Sequence, residues 1–365
     1  MKLYLDNGYL NMPGIFENDY TFNIIIGARG IGKTYGALKY VKENNIAFMF
    51  TRRTQQQIDL LKQPAFNPYG ALNHDMHWNV EVKSIGGKNF GFYEAERDVD
   101  SDEYVISGPP IGVASALSTF SNMRGFDASW IRAWIFDEFI KEPHEKPIKE
   151  EAQAILNMYE SINRNRELQG ERPVKFIAMA NSEYVANPLL MELQLSTRAA
   201  AMQRKGIDQY FDQTRSIALF IPKQSPISLK KAETALYKLS RHTEFNKMAL
   251  ANEFNEIDWT LVKPANLINY TPLARVGELT IYRHKSDDQF YVTEHFSGQC
   301  PAFTASENDL RRFRKKYFWL WQKFLYNKVY FEEFIDQVLL ESRRYSYGQL
   351  HNTTSQNTFQ AVPGQ

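Results

Sequence analysis

Two groups of residues in this sequence have the types and spacing for phosphate chemistry. The first is Gly27-Ala28-Arg29-Gly30-Ile31-Gly32-Lys33-Thr34, where four residues separate Gly27 from Gly32 and a lysine and a threonine follow. Glycines at this spacing let the backbone curl so that successive N–H groups face a phosphate chain at the positive end of the next helix. Lys33 then reaches the β- and γ-phosphates, and Thr34 ligates Mg²⁺. The second is Asp137-Glu138, which closes the apolar run Ala133-Trp134-Ile135-Phe136. Asp137 would hold Mg²⁺ through water, and Glu138 would polarise the water that attacks ATP. An acidic pair after a strand is common on solvated edges; a complete phosphate loop about a hundred residues upstream gives this one its weight.

Single polar residues are more ambiguous. Asn181 follows the apolar run Phe176–Ala180 and either touches the γ-phosphate or the attacking water, or caps a strand end. Arg164 and Arg166, in Ser161-Ile162-Asn163-Arg164-Asn165-Arg166, could stabilise phosphoryl charge from a neighbouring subunit. The bland reading, solvated or salt-bridged arginines, is favoured by the residues alone. Arg124 is equally ambiguous.

For the loop and the acids to converge, both must leave the carboxyl edge of one open sheet. Apolar runs alternate with helical patterns through the first half of the chain, the signature of a parallel sheet with crossover helices. Strands are expected at Phe22–Ile26, Ile46–Thr51, Ala133–Phe136 and Lys175–Ala180, with Ser216–Ile221 a candidate fifth. A helix is expected over Thr34–Val41, and Glu81–Lys83 with Asn89–Tyr93 reads as an inserted hairpin. After Pro222–Pro226, helical stretches at Leu229–Leu239 and Phe245–Phe254 read as a linker module. Leu279–His284 and Gln289–His295 form a second hairpin. Ser306, with Asp309 resembling a capping box, opens a helix to about Tyr326, and another covers Tyr330–Glu341. The division expected is an ATPase domain over 1–215, a linker over 216–258, a C-terminal domain over 259–345 and a disordered tail over 346–365.

An apolar share of 43%, with 25 Phe and 20 Tyr, suffices for two aromatic-rich cores in 365 residues. The net charge of +1 means that any polyanion contact comes from local patches. The lone Cys300 excludes an internal disulfide framework. No run reaches the roughly 18 apolar residues of a membrane span, so a soluble intracellular protein with no membrane partner is expected. His74 and His77 lack a nearby second ligand pair and read as surface histidines. Lys83 and Lys88 at the Gly86-Gly87 hairpin tip, Lys141, Lys146 and Lys149, and Arg52 and Arg53 are candidate polyanion contacts, though a solvated face is the favoured reading of each set. Arg311–Trp321 adds a basic cluster among aromatics that read as core.

The adjacent glutamate points to the additional-strand, catalytic-glutamate division of P-loop enzymes. Within it, Phe22–Tyr35, Ile135–Ile140, Ile155–Asn157 through Arg164-Asn165-Arg166-Glu167, and Ala180-Asn181 through Asn187-Pro188 resemble the DNA encapsidation ATPase of phi-29-like podophages. A fainter match covers Glu244–Leu250. The resemblance implies a RecA-like α/β ATPase domain with a mostly parallel sheet, a short helical linker and a smaller α/β domain resembling a vestigial RNase H-like nuclease. It further implies an ATP-driven homomeric ring, typically a pentamer, on the portal of a procapsid, pumping double-stranded DNA inward. The setting is the host cytoplasm and, transiently, the procapsid rather than the mature virion; participation of a packaging RNA is left open. Carried over, Arg164 is the trans-acting arginine with Arg166 as fallback, Arg124 faces the neighbouring site, and Asn181 lies in the coupling segment. The C-terminal hairpin carries Glu294 without a facing second carboxylate, and Asp287 and Asp288 fall in its turn, so no nuclease activity is expected. A helicase-like or terminase-type translocase is the alternative, and a non-enzymatic portal or capsid adaptor is a third reading.

Overall fold

The computed structural model describes residues 1–97, 104–123, 126–142, 145, 148–181, 187–222, 225–241, 243, 246, 249–250, 252, 261–333, 336–337 and 339–340. The chain divides into two compact units: Met1–Glu142 with Glu150–Glu183 and Met202–Asn255, and Pro143–Lys149 with Tyr184–Ala201 and Glu256–Gln365.

The first unit is built on a nine-stranded sheet. Its strands are β1 (Phe22–Ile26), β2 (Phe48–Arg52), β3 (Val80–Gly86), β4 (Asn89–Arg97), β5 (Tyr104–Ala116), β6 (Ala133–Asp137), β7 (Lys175–Ala180), β8 (Gln209–Asp212) and β9 (Ile217–Phe220). They lie in the order β3-β4-β5-β2-β6-β7-β1-β9-β8. The run from β5 to β9 is parallel, and the flanking pairs are antiparallel. Its helices are α1 (Met12–Glu17), α2 (Lys33–Glu43), α3 (Gln55–Asp59), α4 (Gly70–Met76), α5 (Glu151–Asn163), α8 (Pro226–Ala232) and α9 (Ala235–Leu239); of the two between, α6 (Pro188–Glu192) falls in the second unit and α7 (Ser196–Lys205) is divided between the units at Ala201. The central strands read as continuous apolar runs because a parallel sheet is covered on both faces. Ile24, Ile25, Ile26, Trp134, Ile135, Phe136 and Ile177 are accordingly buried.

Register, more than strand identity, positions the chemistry. β7 lies between β1 and β6, with Ile26 opposite Ala180 and Asp137 opposite Met179. The three strands therefore end level, and Gly27, Glu138 and Asn181 leave at one edge. On the other side of β6, Thr51 of β2 pairs with Phe136, which sets Arg52 beside Asp137.

The structure departs from the sequence reading at several points. β9 pairs in parallel with β1, so the sheet continues past the boundary drawn at residue 215. β5 was not anticipated: Gly108-Pro109-Pro110 interrupts its pattern, yet falls in a register shift against β4 where no ladder N–H is required. The helical stretch Leu229–Leu239 is two short helices, α8 and α9. Much of Phe245–Phe254, and the tail from Ser346, lie outside the described residues.

The second unit holds a five-stranded mixed sheet of β10 (Tyr270–Val276), β11 (Leu279–His284), β12 (Phe290–Thr293), β13 (Ala302–Phe303) and β14 (Val329–Phe331), ordered β13-β10-β11-β12-β14. β11 and β12 form the expected hairpin, with Thr280 opposite Thr293. Ser306 caps α10 (Glu307–Lys316), and α11 (Phe318–Leu325) follows after a break at Tyr317, where one helix was expected. The start of the helix expected from Tyr330 is strand instead. Val329-Tyr330-Phe331 is aromatic and β-branched, and it pairs in parallel with β12, so tertiary pairing decides its state.

At the exit of β2, Arg53 Nε and Nη2 donate to the two Glu151 oxygens at 2.6 and 3.0 Å, with both side chains buried. This pair ties the sheet to the start of α5. Glu151→Ala is expected to lower unfolding stability by about 3 kcal/mol, because it leaves a buried guanidinium without this carboxylate. Arg53→Met/Glu151→Leu should recover most of the loss. Denaturant midpoints within about 0.5 kcal/mol of wild type for the single variant would contradict this.

Candidate active site

The phosphate loop springs from the end of β1, and Gly27 N donates to Ala180 O at 3.0 Å. Gly30 and Gly32 have φ of +72° and +86°, the left-handed region in which a side chain is strained. A Cβ on Gly27 would lie 2.6 Å from Ile31 Cδ1, so a side chain there would require the Ile31 methyl to move. Lys33 opens α2 and is 9% exposed. Its Nζ donates to Gly27 O at 2.6 Å, Ala28 O at 2.8 Å and Asn181 Oδ1 at 3.1 Å. Burial pushes its ammonium down to about 7, against the opposing pull of Asp137 and Glu138.

Thr34 Oγ1 donates to Asp137 Oδ1 at 2.9 Å. A hydroxyl and a carboxylate converging in this way fit Mg²⁺, which takes one or two protein oxygens and completes its shell with phosphate and water. Among the described residues no group of three or more His, Cys, Asp or Glu could hold a metal ion. Arg52 then bridges the acidic pair: Nη2 meets Asp137 Oδ2 and Nη1 meets Glu138 Oε2, each at 2.8 Å. Glu138 has φ of +56°, a strained setting worth about 1–3 kcal/mol of the kind that collects at functional sites. Arg29 is paired with Glu142 at 2.6 Å. These elements enclose a cleft of about 320 Å³ lined by Arg29, Gly30, Gly32, Lys33, Thr34, Tyr35, Asp137, Glu138, Ala180 and Asn181.

The loop, the acids and Asn181 therefore come together as the sequence predicted. Arg52 and Arg53, read as a solvated face or as candidate polyanion contacts, are instead each engaged by internal carboxylates. Their charge alone carried no hint of this; the signal is the adjacency of β2 and β6. Arg166 is buried and donates to the carbonyls of Ile131, Ala128 and Ser129 at 2.5–2.8 Å, bracing the approach to β6. Arg164 instead ends α5 with φ of +52° and a half-exposed side chain, donating to Phe126 O at 2.9 Å. Neither arginine lines the cleft of its own chain. Arg124 and Lys146 lie outside the described residues. Lys88 stands at the hairpin tip with φ of +67°, Lys83 is 3.7 Å from Glu81, Lys141 is half-buried and Lys149 exposed. In the second unit, Phe313, Tyr317 and Trp321 are core, as expected, whereas Phe318 is 62% exposed and Trp319 half-buried. Among the described residues no helix is long and apolar enough to cross a membrane.

Lys33 supplies a pH-dependent signature. Burial lowers its folded value from 10.5 to about 7, and phosphate oxygens beside it favour the charged form. Binding of a non-hydrolysable triphosphate at pH 8 is therefore expected to be accompanied by net proton uptake, read by calorimetry in two buffers of different ionisation enthalpy. Heats independent of buffer would mean that Lys33 is already charged before binding.

The model of the podovirus DNA encapsidation protein (Gp16) family matches residues 6–267. The DNA packaging protein of Bacillus phage phi29 is 24% identical over 251 residues, covering 67% of this chain and 66% of that protein. That of Bacillus phage B103 is 27% identical over 241 residues, covering 65% of each. The chain thus spans slightly under two thirds of the length of these relatives. In fold it is similar to a chain of the bacteriophage Phi-29 viral genome packaging motor assembly, with a TM-score of 0.59 and 16% identity over 92% of this chain and 99% of that one. It is also similar to the Phi-28 gp11 DNA packaging motor, with a TM-score of 0.56 and 18% identity over 92% and 96%. With the family model matched along most of its length, and over the loop, the acids and Asn181 alike, the chain belongs to the podovirus DNA encapsidation protein family.

Proposed function

We propose that this chain is the ATPase of a packaging motor that drives double-stranded DNA into a viral procapsid. The observation that carries this is the convergence of Lys33, Thr34, Asp137 and Glu138 on one cleft at level strand ends. The cradle N–H groups and Lys33 neutralise the β- and γ-phosphates of ATP, and Thr34 with Asp137 holds Mg²⁺. Bound there, Mg²⁺ would offset the charge of the phosphate oxygens. Glu138 turns from Arg52 to orient the attacking water, since an oxygen bonded to the guanidinium is not placed to accept a proton from water. Asn181 passes from Lys33 towards the γ-phosphate and reports its loss.

The position of β7 between β1 and β6 supports a place in the additional-strand division, and with it the RecA-like reading of the first unit. Arg164, rather than Arg166, is the trans-acting arginine on this reading, because Arg166 is occupied in bracing its own chain. The functional unit is then a homomeric ring, taken as a pentamer, seated on the procapsid portal in the host cytoplasm. Arg124, outside the described residues, is the candidate second basic residue for the neighbouring site, and a packaging RNA is a further candidate partner. The region over 259–345 is read as a vestigial nuclease-like domain without cleavage activity. The similar proteins are described as DNA packaging proteins and motor assemblies, which favours this reading over a helicase.

ATP hydrolysis stimulated by double-stranded DNA, with neither strand separation nor cleavage, is the expected behaviour; strand separation would favour the helicase-like alternative. Glu138→Gln should bind ATP as wild type does while turnover falls at least about 100-fold. Wild-type turnover in that variant would remove Glu138 from its role. Arg164→Ala should be inactive alone, yet regain hydrolysis when mixed with Glu138→Gln subunits, each supplying what the other lacks. Mixed assemblies that stay silent would count against Arg164 acting in trans.

A further inference from the structure

Helix α8 brings a second lysine to the phosphate loop. Lys231, in its last turn, donates from Nζ to the Arg29 carbonyl at 2.8 Å. The same ammonium fills the space where a Cβ on Gly30 would stand, with Lys231 Cε 3.0 Å from that point. The helix that carries it is itself anchored. Ser225 caps it by accepting from Ser228 N at 3.0 Å, and Pro226 packs against Gly8, where a Cβ would meet Pro226 Cβ at 2.9 Å. From the adjoining segment, Leu10 N donates to Ile31 O at 2.9 Å. Two successive parts of the loop are thus held from outside: Arg29 by Lys231, and Ile31 by Leu10.

Lys231 is not among the residues that line the cleft, whereas Arg29 and Gly30 are, and its charge is felt at Lys33. The Arg29–Gly30 peptide is trans, so its N–H points opposite to its C=O. Holding the carbonyl therefore fixes the direction of the Gly30 N–H. A cation on the carbonyl also polarises the amide and strengthens its N–H as a donor. Lys231 is half-buried near the Tyr237 ring, 5.7 Å from Nζ to the ring centre, and burial lowers its pKa. A desolvated ammonium spent on one backbone oxygen has a cost that a purely solvating contact would not justify.

We propose that Lys231 is a positioning residue for the triphosphate: it sets the Gly30 N–H toward the phosphates, so that nucleotide affinity depends on where α8 sits. This rests on the cleft being a triphosphate site. It adds that the helical segment after the sheet, and not the loop alone, determines how tightly the site holds its ligand.

The test is the affinity of a fluorescent ATP analogue with Mg²⁺ for the full chain and for Lys231→Met, Lys231→Ala and Lys231→Arg, with thermal unfolding as a check on folding. Lys231→Met keeps the aliphatic stem in place if the alanine variant is unstable. Folded Met and Ala variants are expected to bind about tenfold more weakly, the scale of a charge-assisted hydrogen bond, and Arg to recover most of the affinity. In steady-state hydrolysis KM should rise by a similar factor while kcat changes far less. Met and Ala variants that bind as wild type does would overturn the role of Lys231 and leave the cleft's reading intact. A wild-type chain that binds no analogue would overturn both.

Discussion

Four parallel strands, β2, β6, β7 and β1, end at one level, and every group at the cleft depends on that register. A slip of one residue in any pairing would turn side chains to the opposite face and separate Thr34 from Asp137 or Asn181 from Lys33. The strands keep their register because both faces of the sheet are buried, so each central position has an apolar partner to lose. The chemistry is polar, but what holds it in place is the burial of Ile24, Ile135 and Ile177.

Charge is the second constraint. Asp137 and Glu138 are adjacent carboxylates beside a buried lysine, and the Arg52 guanidinium meets both at 2.8 Å. Adjacent acids repel unless a cation lies between them. Arg52 supplies that cation where Mg²⁺, Lys33 and water would otherwise share the same oxygens. The positive φ of Glu138 has the same logic: strain held by the surroundings is available to be released when the side chain changes partners. Opposite it, the pairing of Arg29 with Glu142 places a loop cation against the segment that follows the acids.

Much of this was legible in the sequence. β1 and β7 fall where continuous apolar runs put them and β11 where a hairpin pattern put it, and the loop and the acids form one cleft with Asn181, whose reading the sequence left open. What the sequence hides is neighbourhood. Arg52 and Arg53 look like surface cations until β2 is known to lie beside β6, and then one faces Asp137 while the other is buried against Glu151. β5 is masked by Gly108-Pro109-Pro110, and Val329–Phe331 is claimed as strand by β12 although its surroundings read as helix. In each case the deciding contact is distant along the chain, where local pattern carries no information.

On the proposed mechanism, the site's central feature is the exchange of Arg52 for water at Glu138. A structure of the chain with Mg²⁺ and a non-hydrolysable ATP analogue addresses it directly. The expected result is that the Glu138 carboxylate has left Arg52 and faces the γ-phosphate, with Asp137 and Thr34 on the metal. Retention of both Arg52 bonds at their present 2.8 Å, with the analogue fully seated, would contradict it.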